Sequence, residues 1–148
     1  MIFQVKHPVA LAAVFLWLGF VCAISFMEAW LKFRAPGITV PLGLGIGRIV
    51  FAALNKVEWV LALAIAANLL WAKPLVFGRA SWLFLLPIAI LFAQTVWLLP
   101  VLDARAELHI TGQPVPPSNL HFLFVGFELV KVLALAALGI SFFKKTGT

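Results

Sequence analysis

The sequence predicts an all-α integral membrane protein, in which residues 1–148 form a single domain of four transmembrane helices. Of the 148 residues, 64% are hydrophobic and the mean hydropathy is +1.12. Only 11% are charged, whereas about 25% are charged in a typical soluble domain. The apolar residues are also concentrated in four long stretches, and a helix needs roughly 20 such residues to cross a ~30 Å hydrocarbon core. The composition therefore excludes an ordinary soluble domain.

The four apolar stretches are predicted to be helices rather than strands. Pro8–Met27 and Ala80–Leu102 contain no charged residue, whereas the second stretch, from about Leu42 to Trp71, and the fourth, Leu120–Phe143, each contain a few. A chain in lipid must satisfy its own backbone, either by helices or by a closed barrel. The alternating pattern of barrel strands does not occur in this sequence, which favours helices.

Prolines and glycines mark the predicted ends of the helices. They fall in three short connections, at Pro36–Gly37, Lys73–Gly78 and Gly112–Pro117. Pro87 and Pro100 lie inside the third stretch. Because each proline removes one backbone hydrogen bond, we expect a bend there.

Basic residues near the helix ends predict the orientation in the membrane. One side carries Lys6, Lys73, Arg79, Lys144 and Lys145, and the other carries Lys32, Arg34, Arg105 and, if it is counted as a loop residue, Arg48. Cytoplasmic loops are enriched in lysine and arginine. This bias places both termini and the middle connection in the cytoplasm, and it assigns most of the net charge of +6 to orientation rather than to nucleic-acid binding.

The polar residues also suggest an internal repeat of a two-helix unit. The residues that close the first helix, at positions 28, 32 and 34, have the same spacing as those that close the third, at positions 103, 107 and 109. Positions 48, 55 and 58 match positions 121, 128 and 131 in the same way. A parallel duplication gives such a pattern in some transporters. Coincidence between amphipathic helix ends is the alternative.

Ionisable residues inside the apolar stretches indicate the candidate site. Glu58, Glu128 and Lys131 lie at membrane depth, where a charge is costly and usually faces the protein interior or a wet cavity. Helical spacing places further polar residues near the same end of the bundle. We expect one charged layer below the loop-bearing face, with these candidate ligand-binding residues: Glu28, Lys32, Arg48, Asn55, Glu58, Asp103, Arg105, His121, Glu128 and Lys131.

The residues alone leave two functions open for this layer. It can bind a small charged or amphipathic ligand or conduct protons or ions, as in a carrier. It can also be a structural network of interhelical ion pairs, such as Glu28 with Arg48 or Glu128 with Lys32. In that case, the chain is an accessory or structural subunit of a membrane complex. The partners expected for the chain in general are the lipid bilayer and either further copies of itself or the other subunits of a larger membrane complex. A buried ion pair stabilises little net of desolvation, which favours a role beyond structure.

No metal or nucleotide site is expected. The only histidines, His7, His109 and His121, form no close ligand pair in sequence, and Cys22 is the single cysteine. The glycines between Leu42 and Arg48 follow no strand and precede no GK[ST] motif, so they do not make a phosphate loop. Close packing against a neighbouring helix is the expected role of these glycines.

The segment from Arg48 to Glu58 resembles the second-helix signature of the membrane-associated proteins of eicosanoid and glutathione metabolism (MAPEG), roughly R-V-x-R-A-H-x-N-x-x-E. The resemblance implies a trimer that binds glutathione between subunits, with Arg48, Asn55 and Glu58 as ligand-binding positions and a transferase activity. The sequence departs from the signature at Phe51 and Ala53. It also has no tyrosine to activate a thiol, so Arg105 would have to take that role.

Overall fold

The computed structural model describes residues 2–71 and 79–146. Its four main helices are α1 (Pro8–Arg34), α2 (Val40–Trp71), α3 (residues 79–110) and α4 (Leu120–Ser141). Each of the four is long and apolar enough to cross a membrane. The predicted all-α fold with four membrane-spanning helices is confirmed.

Helix α1 changes its winding along its length. It is α-helical over Pro8–Val21, π-helical over Cys22–Glu28, and ends in a 3₁₀ turn at Lys32–Arg34. Gly37 then has a φ of +81°, a left-handed conformation that glycine adopts without steric cost. The predicted end at Pro36–Gly37 is confirmed, since the charged turns after the apolar stretch Pro8–Met27 remain helical as far as Arg34.

Helix α3 also contains a π-helical turn. Its α-helical parts, Arg79–Ala93 and Leu99–Ile110, flank the turn Gln94–Leu98. The turn lies directly before Pro100, which has no N–H to donate to the carbonyl of Val96. Both α1 and α3, which the internal repeat would match, contain such a turn, but the repeat stays a prediction, as does a bend at the prolines.

The helices pack as a bundle in which α3 changes its neighbour. Helix α1 packs against α2 and α4, the first part of α3 packs against α4, and the last part of α3 packs against α2. The apolar core includes Trp17, Ile65, Leu91, Leu135 and Leu138. Many large apolar side chains are exposed on the outside, where a bilayer offers them an apolar environment. One end of the bundle carries the α1–α2 and α3–α4 connections, and we call it the loop end. There, α3 has left α4 and packs against α2, which shapes the space between the helices.

The two chain ends meet at the opposite end of the bundle. Strand β1 (Ile2–Val5) pairs antiparallel with β2 (Phe143–Thr146), and the N–H of Lys6 donates to the carbonyl of Phe142 at 3.0 Å. The termini therefore lie on the same side, although the compartment they face stays a prediction. The predicted middle connection at Lys73–Gly78 lies outside the described residues.

Four membrane crossings place the C-terminus and the α3–α4 connection on opposite sides of the membrane. We expect a reporter fused after Thr148 and one inserted at Gly112 to give opposite results in an accessibility assay in whole cells. A reporter in the connection between α1 and α2, at Gly37, is the matched control and should behave like the one at Gly112. Equal accessibility at Thr148 and Gly112 would rule out this topology.

Candidate functional site

The polar residues within the bundle form two groups instead of the single layer that the sequence predicts. The interior cluster is deeply buried and draws on all four helices: Trp17, Glu58, Gln94, Glu128 and Lys131. The second group lies toward the loop end and surrounds a cavity. The two groups are separate because Arg48, in the second group, lies about 15 Å along α2 from Glu58, in the interior cluster, at 1.5 Å per residue.

Lys131 is the centre of the interior cluster. Its Nζ donates to Gln94 Oε1 at 2.7 Å and to Glu128 Oε1 at 2.8 Å, and it forms an ion pair with Glu58 Oε1. An ammonium has three N–H donors and no acceptor, so these contacts use all of its capacity. The side chain is 0% exposed. The surrounding acceptors thus take the place of the water that a charged group loses when it is buried.

The two carboxylates of the cluster are held by further donors. The indole Nε1 of Trp17 donates to Glu58 Oε1 at 2.8 Å, and the amide Nε2 of Gln94 donates to Glu128 Oε1 at 2.6 Å. Glu58 is 3% exposed and Glu128 is 1% exposed, which confirms that both face the interior. Glu128 Oε2 is buried without a hydrogen-bond partner among the described residues.

Sequence reasoning missed Trp17 and Gln94, which complete the cluster. Neither is charged, so a search for ionisable residues at membrane depth passes over both. Gln94 was detectable as a primary amide in the middle of an otherwise apolar stretch. Trp17 has a single N–H donor and lies well inside the first stretch, away from the interfacial depth where tryptophan is usual.

Near the loop end, Arg48 joins α2 to α3. Its Nε and Nη2 donate to the two carboxylate oxygens of Asp103 at 2.5 and 3.0 Å, and its Nη1 pairs with Glu107. Such a two-point contact is typical of a guanidinium with a carboxylate. The sequence places both acids at the end of the third helix but did not predict them as partners of Arg48, because it does not show that the last part of α3 packs against α2.

Two suggested ion pairs are therefore wrong. Glu28 pairs with Lys32, one turn away on α1, at 3.1 Å, rather than with Arg48. Glu128 pairs with Lys131 rather than with Lys32. In both cases a partner on the same helix is close enough to satisfy the charge.

A cavity of about 580 Å³ lies between the helices at the loop end. Its walls are mainly apolar and aromatic, with Phe33, Leu44, Phe51, Leu99 and Phe124 among them. Polar residues on the same walls are Lys32, Arg48, Asn55, Lys56, Thr95, Asp103 and His121. Lys56 and His121 are exposed, so the cavity communicates with the outside of the bundle.

A hydrogen-bonded group of three residues lies between the cavity and the interior cluster. Thr95 Oγ1 accepts from Asn55 Nδ2 and from Trp59 Nε1, both at 2.9 Å, and donates to the carbonyl of Leu91 at 2.7 Å. Asn55 and Thr95 line the cavity, while Gln94, which precedes Thr95, belongs to the cluster. The π-helical turn of α3 thus supplies one polar side chain to each group.

Glycines at the start of α2 make room for α1. A Cβ at Gly43 would clash with the ring of Phe33, and a Cβ at Gly47 would lie 3.2 Å from Nζ of Lys32. The aromatic ring and the ammonium therefore approach the α2 backbone closely. The expected packing role of these glycines is confirmed at both positions.

Arg105, also among the candidate residues, lies outside the cavity lining. Its Nη2 donates to the carbonyl of Pro116 at 2.5 Å, which ties the connection between α3 and α4 to the end of α3.

Comparison of the chain with known protein families, with curated proteins and with solved structures finds no match. Within residues 2–71 and 79–146, no group of three His, Cys, Asp or Glu residues is placed to hold a metal ion. The chemistry available to the site is thus that of an apolar cavity with charged walls and of a dry cluster of two carboxyls, an amine and an amide.

Removing the central amine should strongly destabilise the bundle. Lys131→Met leaves two buried carboxyls without their shared cation, and breaking a buried ion pair by deleting one partner costs about 3–5 kcal/mol. Lys56→Met makes the same chemical change at an exposed lysine and is the matched control. Unfolding of the detergent-solubilised proteins measures both. Equal stabilities of the two variants would contradict a central role for Lys131.

Proposed function

We propose that this integral membrane protein binds an amphipathic acid in its cavity, as a carrier or ligand-binding protein does. The ligand has an apolar chain and a carboxylate or phosphate headgroup. The observation that carries the proposal is the combination of apolar walls with lysine ammonium groups in one accessible cavity. Its volume of about 580 Å³ is within the range of about 300–1,000 Å³ that is usual for small-molecule sites.

The apolar walls favour the chain of such a ligand. Phe33 and Phe51 face the cavity from α1 and α2, and Leu99 and Phe124 face it from α3 and α4. The rings of Phe51 and Phe124 also meet edge to face, with centroids 5.3 Å apart. Burial of apolar surface contributes about 25 cal/mol per Å², so a chain that covers these side chains supplies most of the binding free energy.

The lysines of the cavity favour an anionic headgroup. Lys56 is exposed and forms no ion pair with any described residue. Lys32 is held by Glu28, whose side chain is 28% exposed, and an ion pair of this kind is worth at most about 1 kcal/mol. Arg48 is already bound by two carboxylates. The two lysines are therefore the cations that a ligand can engage without breaking a strong contact.

A MAPEG-like, glutathione-dependent transferase is the second candidate. It is favoured by Arg48 and Asn55, two positions of the helix-2 signature, because both line the same cavity. The third, Glu58, is in the interior cluster, bound to Lys131 and Trp17. Saturable binding of glutathione, followed by its transfer to an electrophilic acceptor, would favour this candidate over a carrier.

Filling the cavity should abolish binding of the apolar chain. Ala52 and Ala53 are both exposed, but of the two only Ala52 lines the cavity. We expect Ala52→Trp to weaken binding of a fluorescent long-chain fatty acid by about tenfold or more, which corresponds to about 1.4 kcal/mol. Ala53→Trp should bind like the parent protein. Titration of the purified protein in nanodiscs measures this, and equal affinities for the two variants would contradict binding in this cavity.

Substitutions of the Lys32–Glu28 pair should change the affinity in opposite directions. Lys32→Gln removes a cation and should weaken binding of the fatty acid, whereas Glu28→Gln removes the competing carboxylate and should strengthen it. An alkyl trimethylammonium of the same chain length is the control ligand, and its response should have the opposite sign. If both ligands respond alike, the headgroup does not contact this pair.

A further inference from the structure

The interior cluster plays no part in the proposed binding of an amphipathic acid, and its charges do not balance. Lys131 meets three acceptor oxygens, on Glu58, Gln94 and Glu128. Only the ammonium form has three N–H donors, so the contacts require one positive charge. Two ionised carboxylates beside it would leave a net charge of −1 in a part of the bundle where each of these residues is at most 3% exposed.

No other described residue of the cluster supplies the missing positive charge. Helix α1 contributes Trp17 and helix α3 contributes Gln94, which are both neutral, and the remaining members on α2 and α4 are the three charged residues themselves. An unbalanced charge in an apolar interior costs several kcal/mol. Binding of one proton by a carboxylate removes that cost.

The hydrogen bonds indicate which carboxyl holds the proton. Glu128 Oε1 accepts from both Gln94 and Lys131, while Glu128 Oε2 is buried and has no partner. An ionised carboxylate shares its charge between both oxygens, so a buried oxygen without a donor is costly. In the neutral acid, Oε1 is the carbonyl oxygen that accepts both bonds, and Oε2 carries the hydrogen. The hydroxyl still has no partner among the described residues, but an uncharged group without a partner costs less to bury than a charged one.

We propose that the interior cluster is a proton-binding site in which Glu128 holds one exchangeable proton on Oε2 beside the ion pair of Glu58 and Lys131. The chemistry needs no further reactant, since one O–H bond forms on uptake and breaks on release. The cavity comes close to the cluster, because Phe124, one turn before Glu128 on α4, and Thr95, next to Gln94, both line it. The proton site itself does not depend on the proposed ligand.

Infrared spectroscopy of the purified protein at neutral pH tests the site directly. The parent protein should show the carbonyl stretch of one protonated carboxylic acid, shifted in D₂O. Glu58→Gln and Glu128→Gln should each abolish it, because either change leaves one carboxylate balanced by Lys131. Lys131→Met should increase it about twofold, since both acids then lack a counter-ion. Glu28→Gln and Glu107→Gln, which remove carboxyls near the loop end, should leave it unchanged.

Conservative variants test the assignment to Glu128. Glu128→Asp should keep the band at a shifted frequency, whereas Glu58→Asp should keep it at the parent frequency. The reverse result overturns the assignment.

Absence of the band in the parent protein, or its persistence in both glutamine variants, overturns the proton site as a whole. Sodium-dependent stabilisation without an acid band would also overturn it, because a metal cation would then balance the charge. These readouts involve no fatty acid, so they fail or succeed separately from the proposed function.

Discussion

A buried ammonium that must find an acceptor for every N–H is the constraint on which the arrangement of the bundle depends. Lys131 takes its acceptors from α2, α3 and its own helix, α4. Helix α1 joins through the indole of Trp17, which donates to Glu58. Apolar contacts between helices in lipid leave rotation and sliding weakly specified, because lipid tails are as apolar as leucine. A hydrogen-bonded cluster with members on all four helices fixes the rotation and the sliding of each helix at the depth of the cluster.

The π-helical turn of α3 makes that constraint compatible with a cavity. Gln94 and Thr95 are adjacent in sequence, yet one bonds to the interior cluster and the other lines the cavity. The turn precedes Pro100, where the backbone bond of a regular helix is missing in any case. Turns of this kind are frequent at functional sites. Pro100, which was expected to disturb α3, thus lies close to two polar residues of the same helix. Gln94 bonds to α4, and Thr95 bonds to α2.

Hydropathy and the cost of buried charge predicted the fold and part of the site. The four helices follow from the length of the apolar stretches, and the interior position of Glu58 and Glu128 follows from the cost of exposing a carboxylate to lipid. The partners did not follow, because spacing along one helix gives its faces but not its neighbours. Arg48 binds Asp103 because the last part of α3 packs against α2, and no pattern along either helix reports that neighbour.

The uncharged polar residues of the interior cluster were the larger part of the site that the sequence did not predict. A tryptophan N–H or a glutamine amide hardly changes the mean hydropathy of a long apolar stretch, yet each supplies a donor to a buried carboxyl group. Gln94 uses both ends of its amide, since its Nε2 donates to Glu128 and its Oε1 accepts from Lys131. Around an ionisable residue at membrane depth, such neutral side chains are the partners to look for first.

Burial decides which of the ion pairs can take part in binding. The Lys32–Glu28 pair is partly exposed, with side-chain exposures of 10% and 28%, so water can replace either partner and a ligand anion can take the place of Glu28 at little cost. Lys131 has no such freedom, because a lost acceptor in the dry interior leaves a donor unsatisfied. The Lys32–Glu28 pair is therefore suited to exchange one anion for another. The proton that we propose on Glu128 can bind or leave without displacing a heavy atom of the interior cluster, which suits a site where every N–H of Lys131 has its acceptor.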